Sequence, residues 1–425
     1  MRRRIVLLVA LMLAGGAGMG AAPEAPVSLS VSGRASGNVS IAADGDLVAL
    51  AWSASLPSGV TDIYAAVSRD GGRTFSEPTR VNDVAGDARV SGEQPPRVSL
   101  VPRRSGGPAI VAIWTTKGAR GTKLLQARSD DGGRTFGPAI AVPGGDAAGN
   151  RGWESMTVTR GVVAAVWLDH RGLADEAEMA AMHHETGQAA GKPDGVAMAQ
   201  RSALYFAALD GSIAPRPIAA GVCYCCKTAI VTGRDGAMYA AWRQVYPGNI
   251  RDIAFTVSRD GGRSFAHPVR VSEDRWVLEG CPDDGPALAV DAGNRVHAVW
   301  PTLVQGTRPG GEPSIAIFYA STRDGHAFGA RQPLPTEGTP HHPQIAVAGD
   351  GALAVTWDEL AGGARRAVMA RGKLDARGRM RFTREPLSRG EPALYPVVAP
   401  VRGGVVVAWT ANAGTEDSTI QVARR

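Results

Sequence analysis

Apolar and polar residues alternate along most of this chain in short runs, a period of two that marks half-buried strands and not helices. One such run recurs seven times and always ends in tryptophan. The runs are VALAW to Trp52, IVAIW to Trp114, VAAVW to Trp167, MYAAW to Trp242, VHAVW to Trp300, LAVTW to Trp357 and VVVAW to Trp409. They lie roughly 52 to 75 residues apart, the length of a repeated four-strand unit. Each repeat predicts a short strand led by Pro or a small residue, then the Trp strand, a loop, a third strand, a turn and a fourth strand. Long amphipathic helical patterns are almost absent. The 54 Gly and 28 Pro are spread evenly without a collagen-like period, as expected of many strands joined by tight turns.

The turn after the third strand carries a second signature. SRDGGRTF (Ser68 to Phe75), SDDGGRTF (Ser129 to Phe136) and SRDGGRSF (Ser258 to Phe265) are nearly identical, and STRDGHAF (Ser321 to Phe328) is a degraded copy. Their Asp and Ser side chains can bond the turn's own backbone, Gly supplies positive φ, and the aromatic plugs the unit. The turn resembles the Asp-box, or BNR repeat, of the sialidase superfamily over most of the chain. The resemblance implies an all-β propeller. The last repeat supplies only three strands, Tyr395 to Val401, Val405 to Thr410 and Thr419 to Arg424, and Val27 to Ser32 can add the fourth. Such closure protects sheet edges. Seven blades are therefore expected, against six in sialidases.

Propeller topology puts the entries to first strands, and the loops after the Trp strands, on one face around the central channel. Chemically unusual residues gather there. Entries include GVCYCCK (Cys223, Cys225, Cys226), EGCPDDGP (Cys281, Asp283, Asp284), TPHHP (His341, His342), RGWESM (Trp153, Glu154) and ALYP (Tyr395). The loop after WLDHRG holds His170 and continues as an irregular insertion at about 173–201, with Met179, Met182, His183 and His184.

Four cysteines in an exported chain are compatible with disulfides, with thiolate metal ligation or with a redox-active dithiol. Cys223 and Cys225, at i and i+2 of an extended strand, would share a face, with Cys226 turned away unless the strand is bulged. Cys223, Cys225, Cys226 and Cys281 are the candidate metal ligands, with His341 and His342 as further ligands. His170 and the Met/His loop form an auxiliary site. Thiolate, thioether and imidazole together suit Cu(I), whereas Mg or Ca sites want oxygen ligands. Copper is the cofactor this set suits, and none other is implied.

The resemblance implies a second function, an exo-sialidase-like glycoside hydrolase with an arginine clamp for the substrate carboxylate and a Tyr nucleophile. Arg97 in PPRVSL and Arg243 after the fourth Trp strand resemble clamp arginines, and Tyr395 the nucleophile. Cys225, Cys226 and Lys227 stand where the partner Glu is expected, and Pro313 and Ser314 where the third arginine is expected. A third function is a non-catalytic scaffold for a protein or glycan partner.

Arg2, Arg3 and Arg4, the apolar run Ile5 to Ala14 and the small residues Gly18 to Ala22 read as a secretory signal over 1–22. A single propeller domain, 23–425, is then expected to be exported, periplasmic or secreted. No apolar run reaches the length of a transmembrane helix. The formal net charge of +6 includes the three signal arginines, and no basic–aromatic stripe argues for nucleic acid. The expected partner is a metal ion or small ligand at the channel mouth.

Overall fold

The computed structural model describes residues 25–173, 195–278, 280, 282–305 and 312–425. Seven four-stranded antiparallel sheets form a seven-bladed β-propeller. First strands are Ala35–Asp44, Arg97–Val101, Arg151–Thr159, Ala229–Thr232, Ala287–Val290, Thr339–Val347 and Ala393–Val401 in blades one to seven. Each packs on the first strand of the next blade, and that of blade seven packs on that of blade one. The first strands thus enclose the hub. No helix among the described residues is long and apolar enough to cross a membrane.

The Trp strands follow, and all seven tryptophans are fully buried between blades. Four of the seven indole N–H groups find an acceptor, whereas those of Trp52, Trp114 and Trp409 have none among the described residues. Trp167, Trp242 and Trp357 donate to Asp169, Gln244 and Glu359 two residues along, at 2.9, 2.7 and 3.0 Å. Trp300 donates to Asp274 at 2.6 Å.

Blade seven closes with the chain's beginning, as the missing fourth strand required. Val27–Leu29 pairs antiparallel with Thr419–Arg424, in the register Val27 with Val422 and Leu29 with Ile420. The strand is shorter than the expected Val27 to Ser32, because the chain turns at Val31 to Arg34, where the Arg34 amide donates to the Val31 carbonyl. Leu29 is buried in the cluster shared by blades seven and one.

The recurrent turns repeat one hydrogen-bond scheme. Asp70 accepts from the amides of Arg73 and Thr74 and from the Thr74 hydroxyl, while Ser68 Oγ accepts the Gly72 amide. Asp131 and Asp260 repeat the scheme with Thr135 and Ser264. A Cβ on Gly72 (φ 92°) would come within 2.8 Å of Val406 of blade seven. The turn is therefore also a spacer between neighbouring blades.

Closure predicts the weight of one side chain. Leu29→Ala should cost about 2 to 3 kcal/mol in urea unfolding, whereas Val84→Ala, at a residue 60% exposed, should stay within about 0.5 kcal/mol. Equal, small losses would mean that the closing strand contributes nothing to the ring.

Candidate thiol site at the hub

The hub is built by register. In every blade, the residue before the tryptophan pairs with one first-strand residue: Ser40, Arg97, Ser155, Ala229, Ala287, Gln344 or Val397. Two positions upstream stand Asn38, Pro95, Trp153, Lys227, Gly285, His342 and Tyr395. At four of these the ladder slips by a bulge, and Asn38, Trp153, His342 and Tyr395 take φ of 57°, 53°, 56° and 51°. Bulges re-aim side chains in this way. A Cβ on Gly285 would lie 2.0 Å from the Lys227 carbonyl oxygen, so glycine there lets the segment carrying Lys227 pass.

A charged network fills the channel. His342 Nδ1 lies 2.6 Å from Asp358, whose other oxygen accepts from Arg365 at 2.7 Å. His342 Nε2 and Lys227 Nζ each lie 4.0 Å from Glu93, which also accepts the Lys227 amide at 3.1 Å. Asp284 holds His341 Nδ1 at 3.1 Å and the His342 amide at 3.1 Å. Burial alone would depress the His342 pKa, but Asp358 and the neighbouring carboxylates raise it to about 8. Burial pushes the Glu93 carboxyl above its ordinary range, against Lys227 and His342. Burial likewise lifts Glu154 to about 7, with Arg97 opposing.

The CYCC segment is fixed at both ends. The Cys223 amide donates to the Arg243 carbonyl at 2.9 Å, and the Thr228 hydroxyl donates to the Trp153 carbonyl at 2.7 Å. Between these anchors the chain turns. The turn corrects the expectation that Cys226 points away: its sulfur lies 3.6 Å from that of Cys223, and Cys225's lies 3.7 Å from it. An i/i+2 rule holds only for extended chain, and residues 224–226 are a turn and bend. All three sulfurs lie within 4.8 Å of one another, and all three residues are buried. Cys223 and Cys226 are free thiols, whereas Cys225 is disulfide-bonded.

Arg251, fully buried, donates from Nη1 to Cys223 Sγ at 3.3 Å. A hydrogen bond from Cys226, with the positive charges of Arg251 and Arg243, lowers the Cys223 pKa to about 6 although burial opposes it. Burial and the Cys223 sulfur push the Cys226 thiol well above its ordinary value. Arg251 was one of several loop residues in the sequence; nothing there singled it out as the partner of Cys223. Glu93, Asp358 and Arg365 carried no motif at all.

The other expected site residues fall as follows. Neither His341 nor His342 belongs to the sulfur grouping; each has a carboxylate on Nδ1. His170 is buried with its ring centroid 5.5 Å from that of Trp153, which packs against the cysteine cluster. Cys281, Met179, Met182, His183 and His184 lie outside the described residues. Arg97 and Tyr395 line one cavity of about 10 Å³, roughly the space of a single water. Arg97 Nε donates to the Glu154 carbonyl at 2.8 Å. Arg243 spends its guanidinium on the carbonyls of Asp284, Arg251 and Pro301, over the Trp276 ring.

No family model matches the chain, and no curated protein matches it. Among solved structures, polysaccharide lyase Uly1 is similar at 12% identity and TM-score 0.53, over 91% of this chain and 90% of that one. A protein of unknown function from Dyadobacter fermentans is similar at 13% and 0.51, over 95% and 99%. Penicillium chrysogenum alpha-L-arabinanase, complexed with arabinobiose, is similar at 13% and 0.50, over 95% and 98%. At such identities the likeness shows the propeller fold alone.

The network makes stability pH-dependent. A His342 pKa raised from 6.5 to about 8 contributes stability that is complete below pH 6.5 and lost as pH rises through about 8, roughly 2 kcal/mol in all. Urea unfolding should show this fall in the wild type and its loss in His342→Gln. An equal fall in both would assign the titration elsewhere.

Proposed function

We propose that this chain is an exported Asp-box propeller of the sialidase superfamily whose hub thiols bind a soft monovalent metal, copper(I). The observation that carries the reading is a pair of free, buried sulfurs 3.6 Å apart with a third within 4.8 Å. Soft thiolates select Cu(I), and two or three of them suffice for it. Cys223 and Cys226 are the ligand pair in the form with Cys225 oxidised, and reduction adds Cys225. Cys281, the remaining cysteine of the chain's four, lies outside the described residues and is a proposed further ligand on the sequence alone.

Charge favours a monovalent ion. A bis-thiolate copper(I) centre carries one net negative charge, which the Arg251 guanidinium at 3.3 Å from Cys223 offsets. The imidazoles of His341 and His342, already held by Asp284 and Asp358, are left out of this ligand set. Export follows from the signal-like residues 1–22, and placement in the superfamily from the four recurrent turns.

A glycoside hydrolase is the second reading, favoured by Arg97 and Tyr395 lining one cavity. It is weaker because that cavity holds about one water and Arg243 is occupied by backbone carbonyls.

The test is competition for Cu(I) against a chromogenic chelator under reducing conditions. Wild type should bind one ion at least about 100-fold more tightly than a Cys223→Ser, Cys226→Ser double variant, since both core ligands are gone. Equal affinity in the two proteins would refute the metal reading.

A further inference from the structure

We propose that a groove on the outer rim, between blades five and six, binds the anion of a long-chain fatty acid. Blade six carries no Asp-box turn: its third and fourth strands, Ala364–Leu374 and Met380–Pro386, form a long hairpin instead. The fourth strand of blade five is only Gln332–Pro333. Between these unequal strands lies a cavity of about 720 Å³, within the range of small-molecule sites. Its apolar walls include Tyr319, Leu334, Met380 and Phe382, and Phe382 meets Tyr319 edge to face with ring centroids 5.4 Å apart. A Cβ on Gly372 would lie 2.7 Å from the Phe382 ring, so glycine there lets that ring lie over the hairpin. Cross-strand partners share a face, and Leu374 pairs with Met380 as Gly372 pairs with Phe382. The apolar row therefore continues out of the groove to Leu374, which is 62% exposed.

Charge sets the head of the ligand. Arg379 and Arg381, both exposed, line the same groove. Their guanidiniums turn to one oxygen of Asp375, at 3.4 and 3.1 Å, while its other oxygen accepts the amides of Arg377 and Arg379 at 2.9 Å each. One carboxylate does not neutralise two guanidiniums, and among the described residues no carboxylate lines the groove. One positive charge is thus left over beside an apolar surface, which complements a singly charged carboxylate on an alkyl chain. An added peptide strand would need backbone donors along the wall, and Pro333 and Pro335 offer none.

Isothermal titration of the full chain with decanoate, below its micelle concentration, tests the proposal. Wild type should take up one decanoate per chain with a Kd below about 100 µM. Hexanoate, four methylenes shorter, should bind on the order of 100-fold more weakly. An Arg379→Gln, Arg381→Gln double variant should weaken decanoate about tenfold, since this pair holds the carboxylate. Leu374→Asp should weaken it by about the same factor, because it sets a like charge at the open end. All three side chains are exposed, so these variants keep the fold. Equal decanoate affinity in wild type and in both variants would overturn the proposal. Hexanoate binding as tightly as decanoate would overturn it too, marking a charge site without an apolar groove. So would saturable binding of hexaglutamate with none of decanoate, which would mark a peptide site. None of these residues belongs to the hub, so this titration and the copper competition fail independently.

Discussion

The pairing of each Trp strand with its blade's first strand sets the rest of the molecule in place. A tryptophan buried between blades fixes how deep its strand sits, and the antiparallel ladder then dictates which first-strand residue faces the hub. A slip of one residue would turn the whole apolar set outward. The cost is too great at seven positions at once, so the seven hub residues stand at one level. The ring itself is kept by a short strand, Val27–Leu29, joined to the last strand of the chain. Without it, blade seven would present an unpaired edge.

Chemistry enters where this regularity is broken. Four bulges turn Asn38, Trp153, His342 and Tyr395 into left-handed backbone, which non-glycine residues adopt only when their surroundings hold them there. At Tyr395 the holding is visible: its ring lies 4.2 Å from that of His342, and a Cβ on Gly92 would lie 1.8 Å from it. At blade four there is no bulged ladder. The segment before Ala229 is a turn between two anchors, which is how three sulfurs come together in four residues. The carboxylates and imidazoles meet in the channel, and of the three sulfurs beside them that of Cys223 accepts from Arg251.

Much of the fold was legible because its signals are local. Period-two alternation, a tryptophan in a constant place and Gly-rich turns each act within a few residues, so seven blades and the closing strand could be read directly. The side of the propeller on which Cys223, Cys225, Cys226, His341 and His342 gather was legible too, because strand order alone assigns loops to faces. Their partners were not. Glu93 precedes a proline pair without any motif, and Asp358 reads as the polar end of an ordinary strand; both become hub residues only through contacts between distant blades. Cys226 was misplaced because the alternation rule presumes extended chain, and the anchors at Cys223 and Thr228 that bend this segment come from blades three and four together.

A thiol pair beside a disulfide, under a buried guanidinium, is a site that exists only in the folded ring. Arg251 comes from the loop after the Trp strand of blade four, and Arg243, which anchors the Cys223 amide through its own carbonyl, ends that strand. The two free thiols and the disulfide-bonded Cys225 therefore share one anchored turn of four residues. Copper K-edge X-ray absorption of the copper(I)-loaded protein tests this centre most directly. The account predicts a first shell of two or three sulfur atoms and no nitrogen or oxygen; a shell containing imidazole nitrogen or carboxylate oxygen would contradict it.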